Sequence, residues 1–130
     1  MGTGSCKPQN YGAFKTEADL SAKQFYAVKV GSAADQCALS GANEKAIGIL
    51  QNKPASGQIA DVALPGGGAL AIVSESVTVG QYLTSTASGK LEVADAASEH
   101  VIAIADEAGD ANDVIAVTVV LFETYASDAS

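Results

Sequence analysis

The chain has 130 residues, a formal net charge of −8 and a pI near 4.3. Its seven basic residues are all lysine, so the basic, arginine-bearing face that reads phosphates and base edges is missing, which speaks against nucleic acid and against an anionic membrane as partners. Hydrophobic residues reach 48% but aromatics only 5%, with no Trp; this suits one domain with a thin core of small side chains, which oligomerisation would help.

Residues 1–24 show no sustained period. Within them "KTEADLSAKQF" offers a short helical turn, with Thr16 as cap and Asp19 at the third helical position. The segment reads as an extended arm that orders against something else. It is chemically distinct: residues 1–30 hold four Lys against Glu17 and Asp19, while residues 31–130 hold three Lys against thirteen acids. Four of the seven aromatics, Tyr11, Phe14, Phe25 and Tyr26, fall in the first 26 residues of the chain.

From Phe25 the pattern is strand-like. "FYAVKV" (Phe25–Val30) ends at Gly31-Ser32, and "QCAL" (Gln36–Leu39) ends at Ser40-Gly41. "AIGIL" (Ala46–Leu50) stops at Gln51-Asn52-Lys53-Pro54, and "IADVAL" (Ile59–Leu64) at Pro65-Gly66. "ALAIV" (Ala69–Val73) follows. "VTVGQYL" (Val77–Leu83) has a break at Gly80, the kind of glycine that carries a chain around a barrel corner. Ser88-Gly89 marks a tight hairpin turn in "TSTASGKLEV". "HVIAIA" (His100–Ala105) and "VIAVTVVLF" (Val114–Phe122) close the body. Short strands separated by turns, with no long amphipathic helix, predict an all-β fold, a small antiparallel barrel or sandwich. The domain plan is an N-terminal arm over 1–24, a β domain over 25–122 and a loose polar tail over 123–130.

One repeat stands out. Residues 45–66 slide onto 100–121 by 55 positions without a gap, placing Ile47 on Ile102, Ile49 on Ile104, Ile59 on Val114 and Val62 on Val117. Each copy reads as two strands joined by a polar loop, and the pair is expected to pack as pseudo-equivalent halves of one barrel. Two copies are too few for a solenoid.

Catalytic chemistry is sparse. The one histidine, His100, has no evident partners, and no nucleophile elbow is present. Cys6 and Cys37 do not form a zinc or redox motif, and without a signal peptide they read as free thiols. "PGGG" and "SGKL" lack the remainder of a phosphate loop. The loop "DEAGDAND" gathers Asp106, Glu107, Asp110, Asn112 and Asp113 at a density that suits calcium, but not at EF-hand spacing, and its copy at Gln51–Gln58 carries no acid. Neither a cofactor nor a metal is expected, nor any catalytic residue.

Three phrases resemble the capsid decoration, or cement, proteins of tailed double-stranded DNA bacteriophages. These are "KAIGILQNKPASGQIADVAL" (Lys45–Leu64), "VTVGQYLTSTASGKLEVA" (Val77–Ala94) and "VIAIADEAGDANDVIAVTVVL" (Val101–Leu121). Within the last, Ala103 and Asn112 stand where glycines are usual; Asn tolerates left-handed backbone. The resemblance spans about Phe25 to Leu121. It implies a non-enzymatic β protein on the outer surface of the mature head. It further implies a homotrimer that bridges major capsid protein subunits and stabilises the shell. The arm would then supply anchors at Tyr11, Phe14, Lys15, Phe25 and Tyr26. The rival readings are a receptor- or glycan-binding β module of a virion or cell surface, for which only Tyr82 and Tyr125 offer stacking rings in the body, and a small hydrolase or metal-dependent enzyme.

Overall fold

The computed structural model describes residues 11–42, 44–94 and 100–120. Among these residues there are ten short strands: β1 (Tyr11–Thr16), β2 (Ala27–Val30), β3 (Gln36–Leu39), β4 (Gly48–Leu50), β5 (Ile59–Ala63), β6 (Gly68–Ile72), β7 (Tyr82–Ser85), β8 (Leu91–Val93), β9 (Ala103–Ala105) and β10 (Val114–Val119). Strands are short because Gly, Pro, Asn and Ser clusters interrupt the β-branched runs every few residues. Side chains alternate where one face is covered. In β10, Ile115, Val117 and Val119 are buried while Val114, Ala116 and Thr118 are more open.

The first five strands form a closed barrel, barrel 1, in the order β1-β3-β2-β4-β5. All its pairs are antiparallel except β1 with β3. The last five form a second sheet in the order β6-β10-β9-β7-β8. Val73, the residue after β6, makes one isolated parallel bridge to Leu91 of β8. This second sheet is called barrel 2.

The two barrels are copies of one plan. Mapping β1 through β5 onto β6 through β10 turns the first ring into β6-β8-β7-β9-β10, which is the second sheet cut between β6 and β8. Register follows the same mapping. Leu50 pairs with Val62, and Ala105 with Val117. Ala27 pairs with Ile49, and Tyr82 with Ile104. Val28 pairs with Leu39, and Leu83 with Val93. Phe14 pairs with Ala60, and Ala71 with Ile115. The repeat at 45–66 and 100–121 is the part of this duplication that is legible as sequence. It does not form two halves of one barrel, as expected. Each copy supplies one hairpin to its own barrel, because each finds three further strands upstream of it.

Backbone geometry repeats as well. Among the described residues, three non-glycine residues have positive φ: Phe25 (76°), Asp35 (61°) and Asn112 (70°). Their counterparts are Gly80 (89°), Gly89 (91°) and Gly57 (80°). The turns conserve shape between copies, and glycine adopts that shape at lower cost.

Packing gives two clusters rather than one core. Barrel 1 encloses Leu20, Val28, Cys37, Leu50, Ala60 and Val62, with Phe14, Leu39, Ile47 and Leu64 against them. Barrel 2 encloses Leu83, Leu91, Ile102, Ile115, Val117 and Val119, and its cluster continues onto Ala27, Ile49 and Ala63 from the wall of barrel 1.

The arm reading needs correction over its second half. Residues 11–16 are β1, which closes barrel 1 by pairing with both β3 and β5, and Leu20 is buried in its core. No helical turn forms after it. The Thr16 hydroxyl donates to Ala55 O at 2.8 Å and accepts from Gly57 N–H at 3.1 Å instead of capping. Asp19 Oδ1 accepts from Ser21 N–H in a local turn. Residues 1–10 and the tail 123–130 lie outside the described residues, as does Cys6.

Candidate functional site

The barrels join through the segment Phe25–Ala27. In barrel 1, Lys15 N–H donates to Asp35 O at 2.8 Å across the β1–β3 seam. The counterparts in barrel 2 are Ile72 N–H and Gly89 O. They do not bond each other. Ile72 N–H donates to Phe25 O at 3.0 Å, and Ala27 N–H donates to Gly89 O at 2.9 Å. A strap of barrel 1 backbone therefore lies in the seam of barrel 2. Gln51 adds to the junction through its side-chain amide, donating to Leu70 O at 2.9 Å. Ser85 Oγ donates to Gly41 O at 2.6 Å.

This geometry relocates the proposed anchors. Phe25 and Tyr26 are half-buried at the strap, where Phe25 N–H donates to Leu50 O at 2.7 Å. Lys23 Nζ stands 4.9 Å from the centre of the Tyr26 ring, a cation–π contact. Phe14 packs on the core of barrel 1. Lys15 is exposed, opposite the exposed Ile59 of β5. Tyr11 opens β1, opposite Ala63. The five residues do not gather into one patch; they lie along β1 and the strap.

The acidic loop is engaged in local structure. Glu107 Oε2 accepts from Ala116 N–H, Asp113 Oδ2 from Asp110 N–H, and Asp110 Oδ1 from Ser76 Oγ. Asp106 accepts from the Thr118 hydroxyl at 3.0 Å, and Asn112 Oδ1 from Lys90 Nζ at 2.6 Å. These oxygens point to separate donors, and among the described residues no three metal-ligating side chains converge. His100 is half-buried ahead of β9. Cys37 is a buried free thiol, and burial, then the charge of Glu17, pushes its pKa up.

Two surface features were not read from the sequence. One is the pair Val30 and Val79, exposed at 60% and 66%, the most open large hydrophobic residues among those described. The other is a shallow groove of about 310 Å³ lined by Gly80, Gln81, Tyr82, Val93 and Ala94. The available signal was an apolar residue directly before a turn glycine, in "KVG" and "TVG". It was absorbed into the strand pattern. Near Val30, Glu17 Oε2 accepts from Ser32 Oγ at 2.6 Å and Ser32 N–H at 3.0 Å. The Ser32 hydrogen bonds hold the Glu17 carboxyl below its ordinary pKa, and they pin the turn over 31–35.

No family model matches the chain, and no curated protein does. Among solved structures, it is similar to the head fiber gp8.5 N base of bacteriophage phi29, with a TM-score of 0.69 at 14% identity. The match covers 90% of this chain and 97% of the other. The duplicated β architecture described above, traced over nearly the whole of both chains, is therefore a fold that a bacteriophage head protein also has.

Proposed function

We propose that the chain is a structural, non-enzymatic component of a tailed-phage head that binds the outer capsid surface. The observation that carries this reading is the fold likeness to the phi29 head fiber base over 90% of the chain. The three sequence phrases that resemble decoration proteins support it independently. An acidic body is tolerated on an outer face, away from packaged DNA. The finer reading is a homotrimer that contacts the major capsid protein and stabilises the shell, since three linked contacts multiply a weak one by avidity. On the outer face of barrel 1, Lys15 and Ile59 are exposed side by side and suit a capsid contact. Residues 1–10 extend the basic segment that leads into them.

The test is the copy number of the protein in gradient-purified particles, relative to the major capsid protein. A fixed stoichiometry near that of the shell subunit is expected. A handful of copies per particle would move the protein to a fibre or tail position, and its absence from particles would sink the capsid reading. The contact itself is tested by removing residues 1–10 and leaving β1 intact, because deleting through residue 24 would open barrel 1.

A further inference from the structure

The junction inside the chain is made of two unlike surfaces. Barrel 1 contributes the strap Phe25–Ala27 and the wall residues Ile49 and Ala63. Barrel 2 contributes one end, with Ser85 and the turn that carries Gly89. Because the barrels are duplicates, each surface has a counterpart on the other barrel. The counterpart of the strap is Gly80–Tyr82, which repeats its geometry: Gly80 N–H donates to Ala105 O at 2.8 Å, as Phe25 N–H donates to Leu50 O. The counterpart of the docking end is Val30 with the turn over 31–35.

The composition of these counterparts is informative. Ser85 is 1% exposed because it meets barrel 1, whereas its counterpart Val30 is 60% exposed. An isolated exposed Val needs no explanation, but here the apolar residue replaces a polar one at the site where the fold already makes a joint. Beside the second strap, Val79 is 66% exposed, and the 310 Å³ groove runs along the strap itself. The turn over 31–35 is held in place by Glu17, and its tip exposes Ala33 and Ala34. A preorganised apolar tip costs little to order on binding.

We infer that the Val30 end of barrel 1 docks on the Val79 and Gly80–Tyr82 surface of barrel 2 in a second copy of this chain. The contact continues between chains the joint that exists within each one. It differs in kind from the internal joint, because the Lys15–Asp35 bond already closes the seam of barrel 1. The intermolecular joint is therefore side-chain packing of Val and Ala rather than strap insertion. It is heterologous, using a different surface on each partner, so copies follow head to tail and a ring of three satisfies every joint. The inference rests on the self-association proposed above and assigns the surfaces that make it.

The experiment is light scattering with size-exclusion chromatography on wild type, Val30→Glu, Val79→Glu and an equimolar mixture of the two variants. Wild type is expected as a trimer and each variant as a monomer. The mixture is expected to give dimers and nothing larger, because each mixed pair keeps one intact Val30–Val79 joint and caps both ends. Variants that remain trimeric while wild type is trimeric would overturn this interface and leave self-association standing. A mixture that stays monomeric would overturn the pairing of Val30 with Val79 across one joint. A monomeric wild type at particle-like concentrations would overturn the self-association reading, and this inference with it. Should either glutamate variant fail to fold, Val30→Ser installs the residue that barrel 2 carries at the same place and is expected to weaken the trimer at least tenfold in concentration dependence; unchanged association would count against the interface.

Discussion

Barrel 1 and barrel 2 share strand order and register but differ in how they close. Barrel 1 seals its own seam through β1 and β3 and keeps a core of its own. Barrel 2 meets itself at one bridge and otherwise closes on the strap of barrel 1, and its core runs onto the wall of barrel 1. Duplication therefore did not yield two independent units. The same plan serves once as a closed body and once as a dependent one, and the difference lies in a few backbone hydrogen bonds at one seam.

The sharpest way to break the comparison is Gly48. A Cβ there would fall on the backbone carbonyl of Ala63 and within 2.7 Å of Val62 Cγ1. A backbone obstacle does not yield cheaply, so Gly48→Ala is expected to cost more than about 4 kcal/mol, read as a drop in urea midpoint. Its counterpart Ala103 already carries that methyl, buried. Ala103→Gly is expected to cost only about 1–2 kcal/mol. Equal losses at the two positions would mean that close approach of β4 and β5 is not particular to barrel 1.

Core truncations follow. Leu50→Ala and Leu83→Ala each remove a fully buried side chain, one per barrel, and each is expected to cost about 3 kcal/mol. Hydrogen exchange separates them. Leu83→Ala should speed exchange across β6 to β10 and leave β1 to β5 protected, while Leu50→Ala should loosen both barrels. Faster exchange in barrel 1 alone after Leu50→Ala would show that barrel 2 does not depend on it.

A smaller effect comes from the turn counterparts. Asp35→Gly should raise stability by about 0.5–1 kcal/mol, since glycine bears positive φ at lower cost. Gly89→Asp should lower it by more, because the added Cβ also meets Leu39 Cδ1 at 2.7 Å. Thermal midpoints moving in the same direction for both would refute the equivalence of the two turns.

The smallest is electrostatic. Lys29 Nζ bonds Glu44 at 2.9 Å on barrel 1. That bond, then Gly41 N–H, holds the Glu44 carboxyl below its ordinary 4.5. The stabilisation is present above 4.5 and is lost as pH falls through the lower folded value. Glu44→Gln should cost a little near neutrality, and its difference from wild type should vanish in acid. A difference that persists there would assign the effect to packing. At this exposed site the effect is small.

The strands of the body were legible because β-branched runs and Gly-Ser or Pro-Gly turns mark them. β3 falls on the predicted "QCAL", and β5, β6 and β10 lie within a residue or a few of the expected runs. β1 was not legible. "YGAFKT" has a glycine and two separated aromatics instead of a β-branched run, and it becomes a strand by completing a ring with β3 and β5, a tertiary effect. Phe25 looked like the start of a strand, but its positive φ makes it the turn before β2. The repeat was legible as a hairpin in duplicate; the rest of the duplication, β1 to β3 against β6 to β8, has diverged in sequence and survives as register. The anchors were read from the basic and aromatic composition of the segment, and composition does not separate Phe14 in a core from Lys15 on a surface.

The strap also sets an order of events during synthesis. Every strand of barrel 1 lies before residue 64, so its ring is complete in the nascent chain before Gly89 and Val119 leave the ribosome. The wall it presents, Ala27, Ile49 and Ala63, is then a finished template on which the later strands condense. An unpaired seam between β6 and β8 is met by Phe25–Ala27 as soon as it emerges, which keeps two sticky strand edges from meeting a neighbouring polypeptide first.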